Sequence, residues 1–152
     1  LVGSEMCIRD RSPAGFEHFC ADIFRQLGYK AEVTPPANDG GYDILLSRDG
    51  ETAIMECKCY AANHKIGRPA LQKLVGANSS MRASQMWFVT TSSFSAPAAA
   101  YGKEQGIQMI DGKRLLELIE RSNGAKKKRL DARSLSLTRA DFRTHIPPDI
   151  SF

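Results

Sequence analysis

The chain has 152 residues, of which 42% are hydrophobic, 8% aromatic and 25% charged, and this length fits one compact domain. Such an ordinary globular composition excludes a collagen-like, disulfide-scaffold or wholly disordered protein. No apolar run approaches the roughly 20 residues of a membrane-spanning helix, so no membrane partner is expected. The net charge of +4 arises in residues 122–152, and it is compatible with a polyanionic partner without requiring one.

The four cysteines lack the spacing of a disulfide framework: Cys7, Cys20, Cys57 and Cys59. Because no secretory leader is recognisable, we expect reduced thiols in a cytoplasm. A zinc site built from Cys57, Cys59 and His64 is an alternative, although it lacks the paired C-x2-C spacing of structural zinc sites.

The first residues differ in character from the rest of the chain. Residues 1–12 have neither helical nor strand periodicity and resemble translated adapter sequence, so we expect a non-native or disordered leader. A helix is predicted from Ser12 as N-cap and Pro13, with an apolar stripe at helical spacing that begins at Phe16. Gly28 ends this helix, and a short strand over residues 29–34 follows.

The Asp49-Gly50 dipeptide favours a type I′ turn and predicts a β-hairpin. Both strands of the hairpin are apolar on both faces, which indicates helices on both sides of the sheet. The elements that follow alternate between helix and strand: a helix from Arg68, a strand over residues 85–91, a helix capped by Ser95, a strand over residues 107–110 and a helix capped by Asp111. The order α-β-β-β-α-β-α-β-α predicts an α/β fold with a mixed sheet sandwiched between helices.

The composition changes after residue 121. Residues 122–125 have the Ser-Asn-Gly-Ala sequence of a linker, and the basic run Lys126, Lys127, Lys128 and Arg129 follows. Apolar residues beyond this run are too sparse to bury a core. We therefore expect a folded domain over residues 13–121 and a basic linker and tail over residues 122–152, either a docking arm or partly disordered.

The hairpin predicts two carboxylates that face each other. If Asp49-Gly50 is the two-residue loop, Asp43 lies opposite Glu56 with Cβ atoms about 5 Å apart, and Lys58 lies roughly 7 Å along the same face. Two facing carboxylates repel, and a divalent cation such as Mg²⁺ would offset this repulsion. Together with the lysine they suit phosphodiester hydrolysis. The alternative is a surface hairpin in which Glu56 and Lys58 form a solvated pair, but these charges interrupt otherwise apolar strands, which favours a site.

Asp43 and the run Glu56-Cys57-Lys58, preceded by Gly40-Gly41 and an upstream helix, resemble the PD-(D/E)xK nuclease superfamily. The wider pattern is similar to the Mrr-like restriction endonuclease domain and covers about residues 13–121. Five stretches carry this resemblance in order: Gly15-Phe16-Glu17, Asn38-Asp39-Gly40-Gly41-Tyr42-Asp43-Ile44, Glu56-Cys57-Lys58-Cys59-Tyr60, Thr90-Thr91-Ser92-Ser93-Phe94 and Ile110-Asp111-Gly112. The resemblance implies a restriction-endonuclease-like core and a metal-dependent endonuclease acting on double-stranded DNA, with Mg²⁺ or Mn²⁺ as cofactor.

The resemblance also implies roles for individual residues. Asp43 and Glu56 would be metal ligands, helped by the Cys57 carbonyl, and Lys58 would be the catalytic lysine. Many Mrr-like chains carry Gln at the position of Glu56, so the acidic complement of this chain favours an active enzyme. Tyr42 stands where the superfamily name has Pro, a common departure.

Two further positions match the family and also have simpler explanations. Glu17 matches an acidic position that often completes such sites, and it is equally a favourable carboxylate in a first helical turn. Gln72 matches a polar position that often points at the site, and it is also simply a good helix former.

Basic residues outside this cluster are candidate DNA contacts. Lys65 and Arg68 follow the catalytic strand and are plausible phosphate contacts, with a solvated face as the alternative. Residues 126–129 could follow a DNA backbone, although such runs are usually solvated linker.

The expected partner is double-stranded DNA. Cutting both strands needs two sites, so we expect a homodimer in a prokaryotic cytoplasm. No separate DNA-recognition domain is visible, which leaves room for a missing partner domain. Two other functions stay open: a repair or junction-resolving nuclease, and a catalytically silent DNA-binding module, which the intact Asp43, Glu56 and Lys58 disfavour.

Overall fold

The computed structural model describes residues 11–37 and 40–141, with side chains described as far as residue 131. Residues 1–10 of the expected leader and residues 142–152 of the expected tail lie outside this part of the chain. Ser12, in the last position of the expected leader, is the N-cap of the first helix, and its hydroxyl accepts the Gly15 N–H at 3.0 Å.

The elements follow the predicted order α-β-β-β-α-β-α-β-α. They are α1 (Pro13–Gln26), β1 (Lys30–Val33), β2 (Ile44–Arg48), β3 (Glu51–Lys58), α2 (Arg68–Met81), β4 (Gln85–Thr90), α3 (Ala96–Glu104), β5 (Ile107–Ile110) and α4 (Gly112–Asp141). The strands lie side by side in chain order, with β1, β2 and β3 antiparallel and β3, β4 and β5 parallel. The predicted mixed sheet is therefore confirmed.

The hairpin between β2 and β3 has the predicted register. Asp49 and Gly50 both have positive φ, 54° and 82°, as a type I′ turn requires. Arg48 pairs with Glu51, and the ladder ends where Ile44 pairs with Met55. The next residue beyond the ladder on the β2 side is Asp43, and the next on β3 is Glu56, so the turn brings these two side chains to the same end of the sheet.

Helices cover both faces of the sheet, as the apolar strands predicted. One core lies between the sheet and helices α1 and α4, and it includes Phe16, Ile44 and Met55. The second lies between the opposite face and helices α2 and α3, and it includes Ile54 and Phe88. Among the described residues, no helix is both long enough and apolar enough to cross a membrane.

The prediction of a linker at residues 122–125 is wrong. Helix α4 continues through this stretch and through the basic run to Asp141. The Ala, Lys, Arg and Leu residues that follow are good helix formers, and their propensity outweighs that of the intervening Asn and Gly. Ser122 is buried and its hydroxyl donates a hydrogen bond to the Ile119 carbonyl. Arg129 donates a hydrogen bond to the Gln26 carbonyl at the C-terminus of α1, so this part of α4 is fastened to the folded domain.

Candidate active site

Asp43 is held in place by three hydrogen bonds at the end of β2. Its backbone N–H donates to the Met55 carbonyl at 2.9 Å, and its carbonyl accepts the Thr34 N–H at 2.8 Å. Its Oδ2 accepts the N–H of Cys57 at 2.8 Å. The carboxylate thus serves as the acceptor for the Cys57 N–H, which the backbone of β2 no longer supplies beyond Ile44. These hydrogen bonds fix the position of the side chain.

Glu56 and Lys58 lie two residues apart on β3, so their side chains share one face of the sheet. Lys58 Nζ is 2.6 Å from Glu56 Oε1, in an ion pair whose side chains are 35% and 15% exposed, respectively. A pair this sheltered is not the freely solvated pair of the alternative interpretation. It presents one positive charge at the end of a buried strand, beside the Asp43 carboxylate.

The charge of Asp43 acts on two other carboxyl groups at this end of the sheet, those of Glu17 and Glu56. Burial, followed by repulsion from Asp43, raises the pKa of Glu56 above its usual value, even though Lys58 acts in the opposite direction. The same two causes, in the same order, raise the pKa of Glu17 on α1. Burial acts to lower the pKa of Lys58, but its hydrogen bond to Glu56 and the surrounding negative charge raise it overall. The ammonium therefore stays charged while the carboxylates repel one another.

Glu17 lies on the site side of α1 and not in its first turn, which contains no acidic residue. The explanation of Glu17 as a favourable carboxylate in the first turn is therefore wrong, and the charge of Asp43 acts on its carboxyl group. Gln72 is exposed on α2, and among the described residues no hydrogen bond or ion pair joins it to the carboxylates or to Lys58. The neighbouring Lys73 is the residue of α2 that acts on the site, because its positive charge lowers the pKa of Glu56.

Cys57 can offer only its backbone to the site. Its side chain is buried in the α1-facing core, and burial together with the neighbouring Cys20 raises the pKa of the thiol far above its usual value. His64 stacks on Tyr60. The zinc alternative built on Cys57, Cys59 and His64 therefore receives no support. Within the described residues no group of three or more His, Cys, Asp and Glu side chains is arranged to hold a metal ion.

The donor set of the carboxylate cluster fits Mg²⁺ better than Zn²⁺. Mg²⁺ is usually bound through one or two protein carboxylates and keeps several of its waters. Asp43 and Glu56 supply two hard oxygen donors, whose mutual repulsion a divalent cation would relieve. The chemistry of these residues is therefore compatible with the expected cation, and Cys57 can add only its carbonyl.

The loop between β3 and α2 is held by two residues that follow β4 and that the sequence did not single out individually. Thr91 Oγ1 accepts the N–H of Tyr60 at 2.8 Å and donates to its carbonyl at 2.6 Å. Ser92 Oγ donates to the carbonyl of His64 at 2.7 Å. Both hydroxyl residues are buried and belong to the Thr90–Phe94 stretch that carried part of the family resemblance. These residues hold the loop that follows β3. Because the hydrogen bonds join segments about 30 residues apart in the chain, no local sequence pattern reveals them.

The remaining basic candidates are separated in space. Lys65 is exposed and lines a concavity that begins at Lys58. The Arg68 guanidinium lies over the Tyr101 ring, 4.7 Å from its centroid. Lys126, Lys127 and Lys128 are exposed on α4, and Arg129 contacts the end of α1. Lys65 therefore shares a concavity with Lys58, whereas the basic run lies on α4.

A mixed sheet covered by helices on both faces, with an aspartate at the end of one strand and a Glu-x-Lys run on the next, is the arrangement of the PD-(D/E)xK nuclease fold. The Mrr_cat restriction endonuclease family model matches residues 8–119. The chain therefore belongs to this family. No curated protein matches the chain.

Solved structures of nucleases share the fold. The chain superposes on the DNA modification-dependent restriction endonuclease AspBHI with a TM-score of 0.66 and 20% identity, covering 90% of this chain and 39% of that one. For the MspJI restriction endonuclease in complex with a 27-mer oligonucleotide, the TM-score is 0.62 with 20% identity, covering 88% of this chain and 33% of that one. For a repair endonuclease from Pyrococcus abyssi the TM-score is 0.53 with 17% identity, covering 67% of this chain and 47% of that one. The chain thus spans between a third and a half of the length of these proteins.

Proposed function

We propose that this chain is the catalytic domain of a restriction-type endonuclease that hydrolyses phosphodiester bonds of double-stranded DNA with the help of Mg²⁺. The observation that carries the proposal is the sheltered Glu56–Lys58 ion pair, 2.6 Å long, beside Asp43. The membership of the chain in a restriction endonuclease family supports the same chemistry.

Asp43 and Glu56 would hold the cation, with the Cys57 carbonyl as a third oxygen donor. Nucleases of the PD-(D/E)xK type generally use divalent metals. When bound, the cation would polarise the scissile phosphate and make water a better nucleophile at neutral pH. Mn²⁺ would substitute, because it also prefers oxygen ligands.

Lys58 would act on the reacting groups. Its ammonium stays charged next to Glu56, and it is partly exposed, so it can reach a substrate while remaining held by its partner. A fixed positive charge in this position stabilises the negative charge that develops on the phosphate during attack by water. Glu17 would add negative charge on the α1 side, and the exposed Gln72 would offer a polar group to the DNA from α2.

Binding of DNA would use basic residues around the cluster. Lys65 and Arg68 would contact phosphates close to the cut, and Lys126, Lys127, Lys128 and Arg129 would contact the backbone further away. Because one site cuts one strand, we propose a homodimer for cleavage of both strands. Sequence or modification specificity would come from a recognition domain outside this chain, since the chain spans less than half of the restriction endonucleases it matches.

The test is the nicking of supercoiled plasmid, with methylated and unmethylated DNA in separate reactions. We expect conversion to open-circular and linear forms in Mg²⁺ or Mn²⁺ and none in EDTA. Asp43→Asn removes one metal ligand and is expected to abolish cleavage. Asp49→Asn is the matched control, because Asp49 is 90% exposed at the hairpin tip and its positive φ suits asparagine. Equal cleavage by the wild type and Asp43→Asn, or full cleavage in EDTA, would contradict the proposal.

A further inference from the structure

Tyr60 and His64 form a stacked pair of rings on the loop that follows the ExK strand. Their centroids are 4.3 Å apart and the rings are within 19° of parallel. Tyr60 is 36% exposed, and His64 is exposed as well. Neither side chain belongs to either apolar core, so the stack is not explained by packing of the domain.

The backbone beneath both rings is fixed by buried hydroxyl groups. Thr91 holds the N–H and the carbonyl of Tyr60, and Ser92 holds the carbonyl of His64. The His64 N–H also donates to the Ala61 carbonyl at 2.9 Å. Surface loops are usually mobile, and ordering them on binding costs free energy. Here hydrogen bonds already hold the backbone that carries the aromatic pair, which lowers the free-energy cost of binding through these rings.

The pair lies next to the catalytic lysine. Lys58, Tyr60, His64 and Lys65 line one concavity of about 260 Å³. This volume lies just below the roughly 300–1,000 Å³ of pockets for drug-sized ligands, so it is compatible with a group the size of a single base. Aromatic faces for a base, together with ammonium groups for the adjoining phosphates, are the combination by which proteins bind unpaired nucleotides.

We propose that Tyr60 and His64 form a stacking site for an unpaired base next to the scissile phosphate. The proposal deepens, and rests on, the nuclease function proposed above. Bases within a duplex are already stacked on both faces, so only a base that has left the duplex can use this surface. Leaving costs least for a mismatched base. The preferred substrate is therefore duplex DNA with an unpaired or mismatched base beside the cleaved bond.

The experiment compares fully paired duplexes with duplexes of the same sequence that carry one mismatch at a series of positions. Single-turnover cleavage in Mg²⁺ is measured for the wild type, Tyr60→Ala, His64→Ala and Tyr60→Phe. Thr91 and Ser92 hydrogen-bond to backbone atoms of Tyr60 and His64, so these side-chain substitutions leave the loop hydrogen bonds in place. Met81→Ala, at an exposed apolar residue at the end of α2, is the matched control.

We expect the wild type to cut next to a mismatch faster than the paired duplex. Tyr60→Ala should reduce this preference by between about 5-fold and about 150-fold, the range for loss of one base–aromatic stack. Tyr60→Phe and Met81→Ala should retain the preference, and Tyr60→Ala should cut the paired duplex at close to the wild-type rate. An unchanged mismatch preference in Tyr60→Ala overturns the stacking site, as does an equal loss on paired and mismatched duplexes, and both results leave the nuclease function standing.

Absence of cleavage by the wild type contradicts the proposed function instead. Fluorescence anisotropy with the same duplexes in EDTA then tests the stacking site by itself. A tighter affinity for the mismatched duplex that Tyr60→Ala abolishes supports the site, and equal affinities overturn it.

Discussion

Replacement of Asp43 by alanine or by asparagine separates two roles of one side chain. Asp43 Oδ2 accepts the N–H of Cys57 at 2.8 Å, and an asparagine oxygen can accept this hydrogen bond whereas alanine cannot. A backbone N–H left without its partner costs about 1–3 kcal/mol. For a domain of this size 1 kcal/mol shifts Tm by about 2–4 °C. In EDTA we therefore expect Asp43→Ala to melt roughly 2–12 °C below Asp43→Asn.

The second role of Asp43 is its charge. Burial, followed by repulsion from Asp43, raises the pKa of both Glu17 and Glu56. Removal of the Asp43 charge therefore removes an electrostatic repulsion that acts on both carboxylates. We expect Asp43→Asn to be within about 1 kcal/mol of the wild type in EDTA, because the relief offsets the weaker neutral hydrogen bond. Mn²⁺ at a hundred times its Kd should stabilise the wild type by about 2.7 kcal/mol and should not stabilise either variant.

Differential scanning fluorimetry, with and without Mn²⁺, measures all of these shifts, and Asp49→Asn is the control. Equal Tm values for Asp43→Asn and Asp43→Ala in EDTA would refute the role of the hydrogen bond. A metal-induced shift that survives in Asp43→Asn would refute the role of the charge.

Three further predictions follow from other parts of the molecule. Because the pKa of Glu56 is raised in the folded protein, the free energy of unfolding without metal should fall as pH rises from 4.5 through the raised pKa. Urea denaturation should show this slope in the wild type and in the exposed-site control Glu51→Gln, and a smaller slope, from Glu17 alone, in Glu56→Gln. An undiminished slope in Glu56→Gln would contradict the assignment. Replacement of Lys126, Lys127 and Lys128 by alanine should reduce the salt dependence of DNA binding, measured as the slope of log K against log salt, by up to about 2.7. The control is the matched triple replacement of Lys30, Lys103 and Lys113. If the slope is no smaller than in this control, the phosphate contacts of residues 126–128 are excluded. Thr91→Val should lower the free energy of unfolding by about 1–3 kcal/mol in urea denaturation, because it leaves the backbone N–H and carbonyl of Tyr60 without their partner. Thr52→Val, at an exposed position, is the control and should leave the free energy of unfolding unchanged.

The features that could be predicted from sequence depend on local signals. Asp49-Gly50 fixes a two-residue turn, and a two-residue turn allows one register, so the juxtaposition of Asp43 and Glu56 followed directly. The helix starts at Ser12 and Ser95 were equally readable, because each hydroxyl caps a backbone N–H three residues ahead.

The features that the sequence did not reveal depend on distant contacts. Thr91 and Ser92 reach the β3–α2 loop across 31 and 28 residues of chain, and no local pattern encodes such pairings. Ser-Asn-Gly-Ala at residues 122–125 reads as a linker, yet α4 continues through it while packing against α1. The effect of Lys73 on Glu56 depends on how α2 packs against the sheet, which the sequence around residue 73 does not reveal.

The central claim, that Asp43, Glu56 and Lys58 form a nuclease site, is tested most directly by the single-turnover cleavage rate of Lys58→Ala in Mg²⁺. Lys30→Ala is the matched control, since Lys30 also pairs with a glutamate two residues away, at 2.9 Å, but on an exposed edge strand. We expect Lys58→Ala to cleave about 10²–10³-fold more slowly than the wild type while calorimetry shows Mn²⁺ binding retained. Lys30→Ala should cleave at the wild-type rate. Cleavage by Lys58→Ala at the rate of Lys30→Ala would contradict the assignment of this cluster as the active site.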